Sequence, residues 1–231
     1  MLERGVPDPA EVCRVFGLGV PTRHWDRVAG AGAHAVWRLT TGTGEYAVKV
    51  FDRTVDHTAG PGWRDRLREA VDIELAAHRA GVAMPEPVRP AGGPATLLAE
   101  VPAGDGTATV RAHAWVDARP VTDRTSDPGL ASAVGAVLAG IHGLRTPSPH
   151  GRAEGLWNTQ SDDHLATLAA RARSGGHDWA TALDRARPAY HAVRELVADR
   201  HRHGWPLIGT HRDLGPRNVL VDASGRPVVV D

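Results

Sequence analysis

Twenty-one residues at the end of the chain constrain it most. His211-Arg212-Asp213-Leu214-Gly215-Pro216-Arg217-Asn218 runs into Val219-Leu220-Val221, a turn over Asp222–Gly225, and then Val228-Val229-Val230-Asp231. Two short β-branched runs separated by Asp and Gly read as a hairpin, so a loop carrying an Asp and an Asn must open onto paired strands. Asp213 and Asn218 bracket that loop, and Asp231 ends the returning strand, thirteen residues beyond Asn218. Carboxylate and amide oxygens in this order suit a hard cation such as Mg²⁺, and a carboxylate beside them can orient a nucleophilic hydroxyl. Taken singly, the three are a turn Asp, a strand-entry Asn and a terminal Asp. Yet the chain holds only two Asn residues, Asn158 and Asn218, and their rarity gives the ordered set its weight.

The basic residues supply a second constraint. Of 27, all but Lys49 are Arg. Lys49 lies in Tyr46-Ala47-Val48-Lys49-Val50-Phe51, a strand by its β-branched alternation. A solvated strand-face lysine is the plain alternative. In a chain that uses Arg everywhere else, however, a Lys between two valines marks a place that needs a compact ammonium rather than a planar guanidinium.

The wider chain is predicted to be sheet first and helix later. Asp8-Pro9-Ala10-Glu11 starts a helix ending near Gly17. Trp25–Ala29, Val36–Thr40 and Tyr46–Phe51 are strands, the last two joined by a Thr41–Gly44 turn. Asp65–Ala80 is a helix stopped by Gly81, after which Pro85, Pro87 and Pro90 keep the chain extended. Ala95–Val101 and Thr109–Val116 are further strands. Leu130–Leu144, Asp162–Arg173 and Trp179–His203 are helices, the last with Pro188 as a point of interruption, and Leu207–Gly209 is a further short apolar run before the final hairpin. The division falls near Val116–Val121, giving one lobe over 1–116 and a second over 117–231.

Several classes are excluded. With 27 basic and 27 acidic side chains the formal charge is zero, which argues against a nucleic-acid or anionic-membrane partner held by bulk electrostatics. No apolar run reaches the ~18 residues of a membrane span. A lone Cys13 makes no internal disulfide and fits a reducing cytoplasm. His201, His203 and His211 lack the spacing and Cys partners of a zinc site.

The H-x-D-x₄-N loop, hairpin and final Asp resemble the catalytic loop and metal-binding strand of the kinase-like phosphotransferases, especially the aminoglycoside phosphotransferase family. That resemblance implies an α+β, protein-kinase-like two-lobed fold. It implies that Asp213 is the catalytic base and that Asn218 and Asp231 hold the metal. The Lys49 strand is similar to the V-A-I-K strand of that fold, which implies contact with the α and β phosphates of ATP (or GTP) and a Glu partner on the following helix. Glu74 shares the apolar face of Leu67, Val71 and His78, whereas Glu69 lies on a neighbouring stripe with Arg66 and Arg68, so Glu74 is the expected partner. The Ala29–Ala35 loop, with Gly30 and Gly32, is small enough for backbone amides to approach phosphates, although it lacks a third glycine. Backbone groups of Ala114, Trp115 and Val116 would pair with adenine. Ala139-Gly140-Ile141-His142-Gly143-Leu144 is similar to a helix end of the family, with His142 as packing.

The activity implied is Mg²⁺-assisted transfer of the γ-phosphoryl group to a hydroxyl of a small molecule; aminoglycosides, other antibiotics, choline, homoserine and sugars are all acceptors on this scaffold. Asp162 and Asp163 either attract a cationic acceptor or simply start a helix. Because Asp231 is the last residue, the chain is expected to be a core cut off at its last metal ligand, either a fragment or a natural truncation. The rival class is a nucleotide-binding module without catalysis.

Overall fold

Asp8 caps the first helix, α1 (Pro9–Phe16): its side chain accepts from the Ala10 amide at 2.7 Å, and Pro9 occupies the first turn, where no backbone donor is needed. Gly17 ends it in the left-handed region at φ 68°. In this computed structural model the described residues are 6–23, 25–28, 34–51, 62–93, 96–104, 106–121, 128–148, 161–203, 208–211 and 213–230, without the side chains of 197, 198 and 200–202. They form two compact units, one drawn from 1–150 and 208–231, the other from 151–207.

The first unit is built on an antiparallel sheet. Strands β1 (Asp26–Arg27), β2 (Ala35–Thr40) and β3 (Glu45–Phe51) follow one another, and β3 then pairs with β6 (Gly106–Ala114). The far edge of β6 is shared by β5 (Leu98–Ala103) and the two-residue β4 (Pro87–Val88). Helix α2 (Trp63–Arg79) lies between β3 and β4 in sequence and ends just before Gly81, which takes φ 78°. Leu39, Val48, Val50, Val110 and Ala112 point to one face, where Val12, Cys13, Phe16 and Leu18 of the α1 segment complete the main core. A smaller cluster joins Val71 and Leu75 of α2 to Leu97.

Side chains alternate along a strand. The register sets Val48 opposite Ala112 and Val50 opposite Val110, so the intervening pair, Lys49 opposite Arg111, emerges on the other face. That alternation puts a lysine and an arginine directly across from each other on the α2 side of the sheet.

The unit continues through β7 (Arg119–Pro120) and α3 (Pro128–Gly143) to a hairpin of β8 (Val219–Val221) and β9 (Pro227–Val229), with β7 pairing β8. Neither β4 nor β7 was expected from sequence; two-residue edge strands containing Pro carry no periodicity to read. Ile208 forms a single antiparallel bridge with Pro147.

The second unit pairs α4 (Asp162–Ser174) with α5 (Trp179–His203). Pro188 does not interrupt α5, although it removes one donor to the preceding turn. Ion pairs to α4 lie on both sides of it: Asp184 with Arg173, and Arg194 and His191 with Asp162. Asp162 and Asp163 occupy the first turn of α4, behind the Ser161 cap.

Candidate active site

Glu74 of α2 organises the open face of the sheet. Its Oε2 accepts from Arg111 Nη1 at 2.6 Å, and its Oε1 makes a short bond to His113 Nε2. Both partners are on β6, facing Lys49 and Ala47 across the ladder. Burial by itself raises the Glu74 pKa, but Arg111 and His113 together outweigh it and leave the carboxyl below its ordinary range. The same burial, followed by the charge of Arg111, pushes Lys49 down to about 7, against the opposing pull of Glu74. Burial also lowers His113, despite its bond to Glu74. Glu69 is turned elsewhere, accepting a hydrogen bond from Ser148 Oγ, and Arg68 pairs with Asp65. Of the two helix carboxylates, Glu74 is therefore the one whose field reaches Lys49.

The loop at 213–218 is drawn tight by its own backbone. Asp213 N donates to His211 O at 2.7 Å, Gly215 N to Asp213 O at 2.8 Å and Asn218 N to Gly215 O at 2.9 Å. Pro216–Asn218 is one turn of 3₁₀ helix with proline at its start, where no amide donor is required. Asn218, only 9% exposed, donates from Nδ2 to Asp213 O at 2.7 Å and to Oδ2 at 3.2 Å. Those two bonds fix which end of the amide faces Asp213, and its Oδ1 has no partner among the described residues. The Asp213 side chain is 63% exposed and takes Arg217 Nη2 at 3.1 Å. Val230 N donates to Asn218 O at 3.0 Å and Val229 N to Ala83 O at 2.9 Å, which ties the hairpin to the loop and to the segment after α2.

His211 marks where these two parts of the unit meet. Burial lowers its pKa; among the charges around it, Asp213 raises it and Lys49 lowers it further. Lys49 and Asp213 are therefore both within electrostatic reach of one imidazole.

At the end of β6, Ala114 N donates to Glu86 O at 2.9 Å and Trp115 N to Glu45 O at 2.8 Å. The Val116 carbonyl accepts from Ala118 N at 3.0 Å, while the Val116 amide makes no bond among the described residues. Arg38 lies 4.5 Å above the Trp115 ring and holds Glu45 through Nε and Nη2 at 3.1 and 2.6 Å. His142 lies at the end of α3, next to the buried Ile141. Gly30, Gly32 and Asp231 lie outside the described residues.

Two residues of this site escaped the sequence reading: Arg111 and His113. They lie in the strand expected over Thr109–Val116. Their signal was alternation, a basic residue at every second position between Val110, Ala112 and Ala114.

The architecture is that of the kinase-like phosphotransferases. It is shared with an amicoumacin kinase solved with AMP-PNP, Ca²⁺ and Ami (TM-score 0.56, 15% identity, covering 95% of this chain and 61% of that one). It is shared with a microcompartment-associated aminopropanol kinase (TM-score 0.55, 17% identity, 92% and 65%). A spectinomycin phosphotransferase solved with ADP and spectinomycin is similar as well (TM-score 0.51, 15% identity, 96% and 67%). This chain thus spans 61% of the length of the amicoumacin kinase chain. No curated protein matches it. The sequence profile of the phosphotransferase enzyme family matches residues 26–231, and the chain belongs to that family.

Proposed function

We propose that the chain is the nucleotide-binding and catalytic core of a small-molecule kinase, moving the γ-phosphoryl group of ATP or GTP to an acceptor hydroxyl. Residues 1–116 would be the nucleotide lobe and 117–231 the catalytic lobe, working in the cytoplasm. The observation that carries this reading is the bonding of Asn218 to Asp213, which turns the amide oxygen away from the carboxylate it supports. An Oδ1 left for a cation beside a carboxylate left for a hydroxyl is the division of labour phosphoryl transfer needs.

The roles follow from the chemistry of each group. Asp213 would orient the acceptor hydroxyl and take its proton as the new bond to phosphorus forms. Lys49 would neutralise the charge of the α and β phosphates, with Glu74 as its counter-charge, so that catalysis is largely positioning and electrostatics. The Val116 amide, the donor of the 114–116 segment still available, would pair with adenine, and the amides around Gly30 and Gly32 would cover the phosphates. The oxygen-only donor set fits Mg²⁺, which Asn218 and Asp231 would hold and which would offset negative charge on the phosphates when bound. In support, two kinases of the same fold were solved with AMP-PNP and Ca²⁺ or with ADP, the second of them with spectinomycin.

The test is transfer of labelled γ-phosphate from ATP and GTP to a panel of hydroxyl acceptors, aminoglycosides and amino alcohols among them. Turnover abolished by Asp213→Asn supports the assignment; turnover that survives it overturns it. A binding module without turnover is the second reading, favoured by the Arg217 contact already made to the Asp213 carboxylate. Thermal stabilisation by MgADP with no transfer to any acceptor would select that reading.

A further inference from the structure

Taking Lys49 as the phosphate-binding residue, the arrangement around it points to a partner that kinase-type logic does not require. A lysine and a helix glutamate suffice for a two-charge site. Here a third ionic group, Arg111, is buried at 7% exposure directly opposite Lys49 in the ladder, and its Nη1 reaches Glu74 Oε2 at 2.6 Å. Phe51 lies under both cations, its ring centroid 5.4 Å from Lys49 Nζ and 5.9 Å from the Arg111 guanidinium carbon. His113 takes the other oxygen of Glu74. The carboxylate is thus gripped from β6 at both oxygens.

We propose that Arg111 is a positioning residue of the phosphate site: it fixes the Glu74 carboxylate against the sheet and sets a second buried cation opposite Lys49. The described titratable groups facing Lys49 are Arg111 and His113 from β6, Glu74 from α2 and His211 from the segment before the loop. Arg111 depresses the ammonium charge and Glu74 supports it, and of these two Arg111 has the larger effect.

Because Lys49 is the only lysine, ¹³C-lysine labelling gives one lysine Cε signal, and its titration can be followed without nucleotide. The wild-type midpoint is expected at about 7. Arg111→Met should raise it by about one pH unit or more, and Glu74→Gln should lower it, the two moving in opposite directions. The double variant Arg111→Met/Glu74→Gln leaves no uncompensated carboxylate and guards against failure of the single variant to fold; its midpoint should fall between those of the wild type and Arg111→Met. MgADP binding, followed in parallel at a pH of about 6, where Lys49 carries its proton in both proteins, should weaken at least tenfold in Arg111→Met. A folded Arg111→Met or double variant with an unmoved midpoint overturns the proposal, as does a rise in Glu74→Gln. Failure of the phosphate-site reading looks different: the midpoints move as stated while Lys49→Ala binds MgADP as tightly as the wild type.

Discussion

Asn218 holds Asp213 at two points, donating from Nδ2 to its backbone carbonyl at 2.7 Å and to its carboxylate at 3.2 Å. Each Asn218 substitution removes a different part of this. Asn218→Ala removes both bonds and leaves the Asp213 carbonyl with only the Gly215 amide, a loss of about 1–2 kcal/mol of stability by the usual worth of such bonds. Asn218→Asp is the worse change, because an acceptor then faces a carbonyl and a second carboxylate. Phosphotransfer is expected to fall at least a hundredfold in both. Urea unfolding and transfer assays on the two variants check the order: Asn218→Asp more stable than Asn218→Ala would contradict the bonding described.

The low pKa of Lys49, about 7 instead of the ordinary 10.5, has a sign that can be worked out. Between those values the unfolded chain carries the proton and the folded chain does not, so stability rises with pH across that window. Its protonated form is the destabilising one, and the contribution is complete only above about 10.5. A phosphate beside the ammonium restores the charge. MgADP binding at pH 8 should therefore take up close to one proton, and affinity should fall by up to about tenfold per pH unit above 7. Calorimetry in buffers of different ionisation enthalpy measures the uptake. Lys49→Met should abolish it and flatten the rise in melting temperature between pH 7 and 9.

Arg38 joins β2 to the segment after β6 by stacking on Trp115 at 4.5 Å while its fork holds Glu45. The Glu45 carbonyl in turn takes the Trp115 amide at 2.8 Å. An exposed cation–π contact contributes about 0.5–1 kcal/mol, so Arg38→Met should cost little global stability. It should loosen the Val116 amide, the proposed partner of adenine. Adenosine and MgADP affinities should weaken by a similar factor, in contrast to Lys49 variants, which spare adenosine. A loss confined to MgADP would place Arg38 with the phosphates instead.

The kinase-like fold was legible because its markers are local. The capped α1, the β2–β3 hairpin and the α2 stop at Gly81 are each written in neighbouring residues, and the Asp213–Asn218 loop in eight consecutive ones. Glu74 could be preferred to Glu69 because helical periodicity put it on the apolar stripe, and its carboxylate bonds to Arg111 of β6. Arg111 was not legible. Its importance comes from a cross-strand register between segments some sixty residues apart, and from a helix inserted between them, neither of which any local pattern encodes. In α5, which runs unbroken through Pro188, ion pairs to another helix flank the proline and are likewise encoded by no local pattern.

Gly209 shows the same dependence on distant packing and gives the sharpest steric test. Its backbone does not need glycine for a left-handed turn; it is fixed by the amide bond to Thr146 O at 2.8 Å. A Cβ there would lie 2.3 Å from Cδ1 and 2.6 Å from Cγ1 of Ile73, the α2 residue before Glu74. Moving only the end of the isoleucine does not relieve the second contact, so Ile73 must leave its χ1 rotamer or α2 must shift. Gly209→Ala should cost about 1–3 kcal/mol by overpacking, and it should weaken MgADP binding by displacing Glu74. In an Ile73→Ala background the added methyl enters vacated space, and the same substitution should cost little or even stabilise. The resulting double-mutant coupling should be about 1 kcal/mol or more, within the range seen for residues in contact. Additive effects of the two substitutions, measured by denaturant unfolding, would show that Ile73 is not what excludes a side chain at 209.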